Sequence, residues 1–104
     1  MNCPRCTDLA PRIRIDSPKK LAEMMRRADR ACSQGILADV GDALDDDWSI
    51  SLTECRQPDS PYGYTWPDIV SLYFACTHCG QMFHLNAETY HGGGGCWEQI
   101  PRKT

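Results

Sequence analysis

Two CxxC pairs, Cys3-Pro-Arg-Cys6 and Cys76-Thr-His-Cys79, stand near opposite ends of a 104-residue chain. A two-residue gap lets one turn present both sulfurs to a single ion, and zinc takes four thiolates at about 2.3 Å in a tetrahedron. One such turn is a weak signal. Two in a chain of this size point to one ion shared by Cys3, Cys6, Cys76 and Cys79. A site of that kind clamps the N-terminal segment onto a C-terminal hairpin, and the residues between form an insertion whose ends must meet.

Seven cysteines by number alone suggest a disulfide framework, but the count is odd and four of the seven fall into the two pairs. The N-terminal stretch, with its prolines and arginines, lacks the apolar core and small-residue cleavage site of a secretory signal, so a cytoplasmic location is expected. A thioredoxin-like redox motif needs its cysteines to open a helix after a strand. Cys3 has no strand before it, and Cys76 to Cys79 falls between two predicted strands. The remaining alternative is a first pair that sits in a frayed terminus and binds nothing.

Cys3-Pro-Arg-Cys6 and Cys76-Thr-His-Cys79-Gly80 resemble the knuckles of zinc-ribbon and rubredoxin-like proteins. The resemblance covers the two turns and the flanking hairpin. It departs from the pattern at Thr7, where a knuckle often has glycine, and in the long separation of the pairs. It implies a metal held by four thiolates and transfers neither partner nor activity. In rubredoxins the same ligands hold redox-active iron, which keeps an electron carrier as an alternative. His78, inside the second knuckle, and His84, just after it, are candidates to replace one cysteine, since Cys₃His sites are common.

Between the pairs, Arg12-Ile-Arg-Ile-Asp16 alternates as an edge strand would, and Asp16-Ser17-Pro18 supplies a helix start. Leu21, Met24, Met25, Ala28, Ala31 and Cys32 then recur at three- and four-residue spacing, which predicts an amphipathic helix from Pro18 to about Gln34, ended by Gly35. The two methionines read as core filler. Ile36 to Val40 predicts a strand, and Gly41 to Asp47 an acidic loop whose spacing does not match a calcium-binding EF-hand. Trp48 to Cys55 alternates strictly and predicts a half-buried strand. Gln57 to Pro67, rich in proline and aromatic residues, predicts a loop. Asp68 to Ala75, Gln81 to Thr89 and Cys96 to Ile100 predict three more strands, the first two a hairpin with the metal at its tip.

The expectation is one domain, residues 1–104, of α+β class: a small antiparallel sheet with one main helix and a zinc-ribbon-like clamp. A composition 41% hydrophobic and 24% charged fits a globular chain, and no apolar run reaches the roughly 20 residues of a membrane span. The net charge of −3 hides a split: the first 30 residues are basic, whereas residues 31–70 are strongly acidic.

Tyr90-His91-Gly92-Gly-Gly-Gly95-Cys96 can form an anion nest, or an oxyanion site beside a Cys/His pair. It lacks the lysine and hydroxyl of a P-loop, and a Cys/His nucleophile needs a third orienting group. A turn between strands is the ordinary reading. Cys32, Cys55 and Cys96 read as buried thiols.

The expected function is that of a non-catalytic, zinc-binding cytoplasmic protein that acts by binding another protein. An adaptor, a regulator or a bacterial immunity protein that neutralises a toxin would fit. Asp45, Asp46, Asp47 and Trp48, with Tyr62, Tyr64 and Trp66, are the candidate protein-binding residues, set against a partner with a basic surface. A nucleic-acid-binding regulator using Arg5, Arg12, Arg14, Lys19, Lys20, Arg26, Arg27 and Arg30 is an alternative that overall acidity opposes. An enzyme using His91 and Cys96 is another.

Overall fold

The computed structural model describes residues 4, 6–41, 50–89 and 93–100. Helix α1 runs over Pro18–Ser33, started by the Ser17 hydroxyl, which accepts the Lys20 N–H at 3.1 Å, and by Pro18 in the first turn. Gln34 closes it, and Gly35 leaves it at φ +76°, a conformation in which glycine has no Cβ penalty. The predicted stripe is buried except for Cys32, which is half-buried, and Ala22 is added to it.

Five strands form one antiparallel sheet: β1 (Ile13–Ile15), β2 (Leu37–Asp39), β3 (Ile69–Cys76), β4 (Met82–Glu88) and β5 (Gly94–Ile100), in the order β1-β5-β4-β3-β2. The three long strands make a meander, and the two short ones border it on opposite edges. Helix α1 connects those two edges, so its apolar stripe crosses the sheet and joins one core with Val70, Leu72, Phe74, Phe83, Leu85 and Trp97. Trp97 is fully buried and stacks on Phe83, with ring centroids 5.2 Å apart. The fold is α+β, as expected.

The other face of the sheet is polar. Tyr73 pairs across the strands with His84, their rings stacked 4.2 Å apart, and the Ser71 hydroxyl lies 2.8 Å from His84 Nε2. Arg14, Cys96 and Asn86 lie in register beside them, with the Asn86 amide donating to the Cys96 sulfur at 3.6 Å.

One predicted strand is overturned. Trp48 and Ser49 lie outside the described residues, but Leu52–Cys55 is a single helical turn, α2. The alternation there coexists with a capping box: Thr53 N–H donates to the Ser51 hydroxyl at 3.2 Å, and Ser51 N–H reaches Glu54 Oε2 at 3.4 Å. Asp39 Oδ2, from β2, accepts the Leu52 N–H at 2.8 Å and settles the choice. Ile50 keeps a strand-like bond, its N–H donating to the Ser71 carbonyl at 3.0 Å, and at the other end the Cys55 carbonyl accepts the Thr65 N–H at 2.7 Å. Ser51→Ala is expected to cost about 1 kcal/mol. That corresponds to a melting temperature about 5 °C lower in a thermal denaturation followed by circular dichroism.

The predicted acidic loop is described only at Gly41; residues 42–47 lie outside the described residues. The last strand begins at Gly94, two residues earlier than predicted, so half of the glycine tract belongs to the sheet.

Candidate metal centre

The β3–β4 connection folds back tightly because Gly80 adopts φ +79° and donates its N–H to the Cys76 carbonyl at 2.9 Å, while Cys76 N–H donates to the Gln81 carbonyl at 2.9 Å. This turn brings Cys76 and Cys79 to one side. The His78 backbone N–H donates to the Cys76 sulfur at 3.4 Å. Thr77 fixes the turn from behind, its N–H donating to the Ile36 carbonyl at 2.9 Å just after α1.

Cys6 arrives from the other end of the chain. It opens a short 3₁₀ turn, Thr7–Leu9, with Leu9 N–H donating to its carbonyl at 3.0 Å. The turn is held down by Leu9, which is buried, and by the Trp97 indole N–H, which donates to the Leu9 carbonyl at 2.7 Å. Gln99 donates to the Ala10 carbonyl at 3.0 Å, and Arg27 to that of Asp8.

The result is a cluster of Cys6, Cys76 and Cys79 with sulfurs all within 4.8 Å of one another, buried except for a half-buried Cys79. Cys6 and Cys79 sulfurs are 3.7 Å apart, close to the edge of about 3.8 Å of a tetrahedron with 2.3 Å metal–sulfur bonds. These three cysteines can bind a metal ion. Cys3 lies outside the described residues. Neither His78, which is exposed, nor His84, held against Ser71 and Tyr73 on the polar face, belongs to the cluster.

The other cysteines stand apart from the cluster. Burial, and after it the neighbouring Asp39 carboxylate, pushes the Cys32 thiol up to about 11; burial followed by Glu54 does the same to Cys55. Both therefore stay protonated and poorly nucleophilic at neutral pH. Cys96 is buried on the polar face, and His91 lies outside the described residues.

Of the residues predicted to bind a partner, Asp45, Asp46, Asp47 and Trp48 lie outside the described residues. Tyr62 is exposed and Trp66 half-buried, their rings stacked 6.1 Å apart. Tyr64 departs from that reading: it is buried, and its hydroxyl donates to Asp29 at 3.0 Å, fastening the loop to α1. Arg56 completes the anchor with two bonds to the Asp29 carboxylate, one of 3.1 Å from Nε.

Those Arg56 bonds, helped by Tyr64 and opposed by burial, hold the Asp29 carboxyl below the usual aspartate range. A depressed folded value means that the stabilisation is present above the unfolded pKa and lost as pH falls through the folded one. Asp29→Asn is expected to cost about 0.5–1 kcal/mol at neutral pH, as Arg56 is half-exposed and solvent screens the pair. The gap between variant and parent should close as pH falls from about 5 toward 2, as read by urea denaturation along a pH series.

The Ser71–His84–Tyr73 assembly was not predicted. Both segments were expected as strands, but only the β3–β4 register pairs these residues. Ser71 is 5% exposed, so its hydroxyl acts as an internal fastening and not as an accessible nucleophile.

The chain has no match among protein-family models, curated proteins or solved structures. Fold and cluster together define an α+β protein with a candidate cysteine metal centre joining its N-terminal segment to a hairpin turn.

Proposed function

We propose that this chain is a non-catalytic, zinc-stabilised cytoplasmic protein that works by binding another protein on a rigid surface, with a nucleic-acid-binding regulator as the alternative. The observation that carries the reading is the convergence of Cys6 on Cys76 and Cys79, which ties together segments that the sequence separates widely. A thiolate set at tetrahedral spacing suits zinc, and Cys3, by its CxxC spacing, supplies the fourth ligand. A closed four-thiolate sphere leaves no open position for substrate, so the metal holds structure and does no chemistry. The same ligands suit iron, which keeps the electron-carrier alternative alive.

The binding surface has two candidate parts. Asp45, Asp46, Asp47 and Trp48 suit a partner protein with a basic surface, as an adaptor, a regulator or a toxin-neutralising immunity protein would meet. The Tyr62–Trp66 pair favours the second reading, a nucleic-acid-binding regulator, because Arg26 donates to the Tyr62 carbonyl at 3.2 Å and so sets the pair beside the basic face of α1. No helix among the described residues is long and apolar enough to cross a membrane.

Elemental analysis of protein purified without added metal, with a count of protected thiols, tests the centre. One zinc per chain with four protected thiols is the expected result. Iron with its thiolate charge-transfer absorption would make the chain an electron carrier, and absence of any metal would overturn the clamp.

A further inference from the structure

We infer that the outer face of α1 and the adjacent Tyr62–Trp66 pair form a docking surface for single-stranded nucleic acid, an inference that rests on reading the chain as a binding protein. At 100° per residue, Lys19, Glu23, Arg26 and Arg30 fall within one narrow sector of the helix, and all four are exposed. With a rise of 1.5 Å per residue, this row of cations extends about 16 Å. Glu23 is its only acidic member, and the Lys20 ammonium 4.0 Å away compensates it. More than half of the acidic residues fall in residues 31–70, which include the Tyr62–Trp66 loop and its exposed Asp59, so the cations of this face are those of α1 and the overall value of −3 does not describe that row.

The aromatic pair is placed against that row by the bond from Arg26 to the Tyr62 carbonyl. A guanidinium has five N–H donors, so this bond leaves capacity for phosphate oxygens. Tyr62 is 39% exposed, while Trp66 packs partly against the core and gives its ring a fixed seat. An exposed Tyr62 ring stacked on half-buried Trp66, beside a line of cations, matches the two parts of a single strand: base faces that stack and phosphates that pair with arginine and lysine. A duplex hides its base faces, and an acidic polypeptide offers carboxylates to the arginines but no flat surface to the rings.

The test titrates the metal-loaded full chain into a short fluorescein-labelled single-stranded DNA of mixed sequence and reads anisotropy at low salt. Binding is expected, with Tyr62→Ala weakening it about 10-fold and Trp66→Ala at least as much. Arg30→Ala should reduce the slope of log affinity against log salt by about 0.7. Tyr62 and Arg30 are exposed, so their variants report on docking even if Trp66→Ala fails to fold. Three results would each overturn the inference: no anisotropy change at low salt, equal affinity for a duplex of the same sequence, or tight binding of polyglutamate in place of DNA. The zinc count and melting temperature of the same sample are read independently. A metal-loaded, stable protein that ignores the DNA refutes the docking inference and leaves the zinc scaffold standing.

Discussion

Cys76→Ser is expected to abolish metal binding and to lower the melting temperature by about 10 °C or more. Cys76 is 3% exposed at the end of β3, where a serine hydroxyl cannot act as the anionic soft ligand that a thiolate provides. A structural zinc contributes on the order of 10 kcal/mol to the small domains that depend on it entirely. Here the sheet and α1 have a core of their own, so the loss would fall mainly on the N-terminal segment that a metal at the cysteine cluster would tie down. Without an ion, the 3₁₀ turn at Thr7–Leu9 would still have its contacts with Trp97, Gln99 and Arg27 and the burial of Leu9. Cys6→Ser and Cys79→Ser should behave alike, and so should Cys3→Ser if it is the fourth ligand. Cys32→Ser, in the helix stripe outside the cluster, should retain the metal in full. Full metal content in the Cys76 variant would refute the assignment, and a chelator should bring the parent protein down to the melting temperature of the variant.

Gly95→Ala is expected to destabilise the protein by about 3 kcal/mol or more, whereas Gly93→Ala should change little. A Cβ on Gly95 would stand 1.9 Å from the Asn86 carbonyl oxygen and 2.6 Å from its carbon, both backbone atoms of the neighbouring strand β4. Neither can yield without displacing β5, which carries the buried Trp97. Gly94 is as constrained, with φ +73° and the Ile15 carbonyl oxygen 2.3 Å from the position of its absent Cβ. At Gly93 the nearest atom is Glu88 Oε2 at 3.2 Å, the end of a side chain that can swing aside. Denaturant titration of the two alanine variants separates the cases. Similar losses in both would mean that the tract acts through chain entropy and not through close backbone approach.

The glycine tract shows where sequence reasoning stops. Four glycines in a row suggest a loop or a phosphate cradle by composition alone, and no local feature tells Gly93 from Gly95. The distinction comes from β1 and β4, which lie on either side of β5 and press on its first residues from opposite edges. The Ser51–Glu54 box is a second case. The same residues alternate as a strand and cap as a helix, and the deciding hydrogen bond comes from Asp39, thirteen positions earlier. Tyr64 is a third: its loop was recognisable from proline content, but its burial depends on Asp29 and Arg56 meeting it from two other elements.

What the sequence alone determined is local. The N-cap and proline at the start of α1, its apolar spacing and its closing glycine all act within a few residues of one another, and the helix forms where they place it. The apolar run of β3, the alternation of β4 and the CxxC turn between them are equally short-range, since strand propensity, a strand period and a tight turn need no distant partner. Tertiary structure decided the rest. The strand order puts β1 beside β5, and Trp97 then holds the N-terminal turn down, so that Cys6 reaches Cys76 and Cys79. That meeting depends on register and packing between segments some 70 positions apart, which no stretch of sequence encodes by itself.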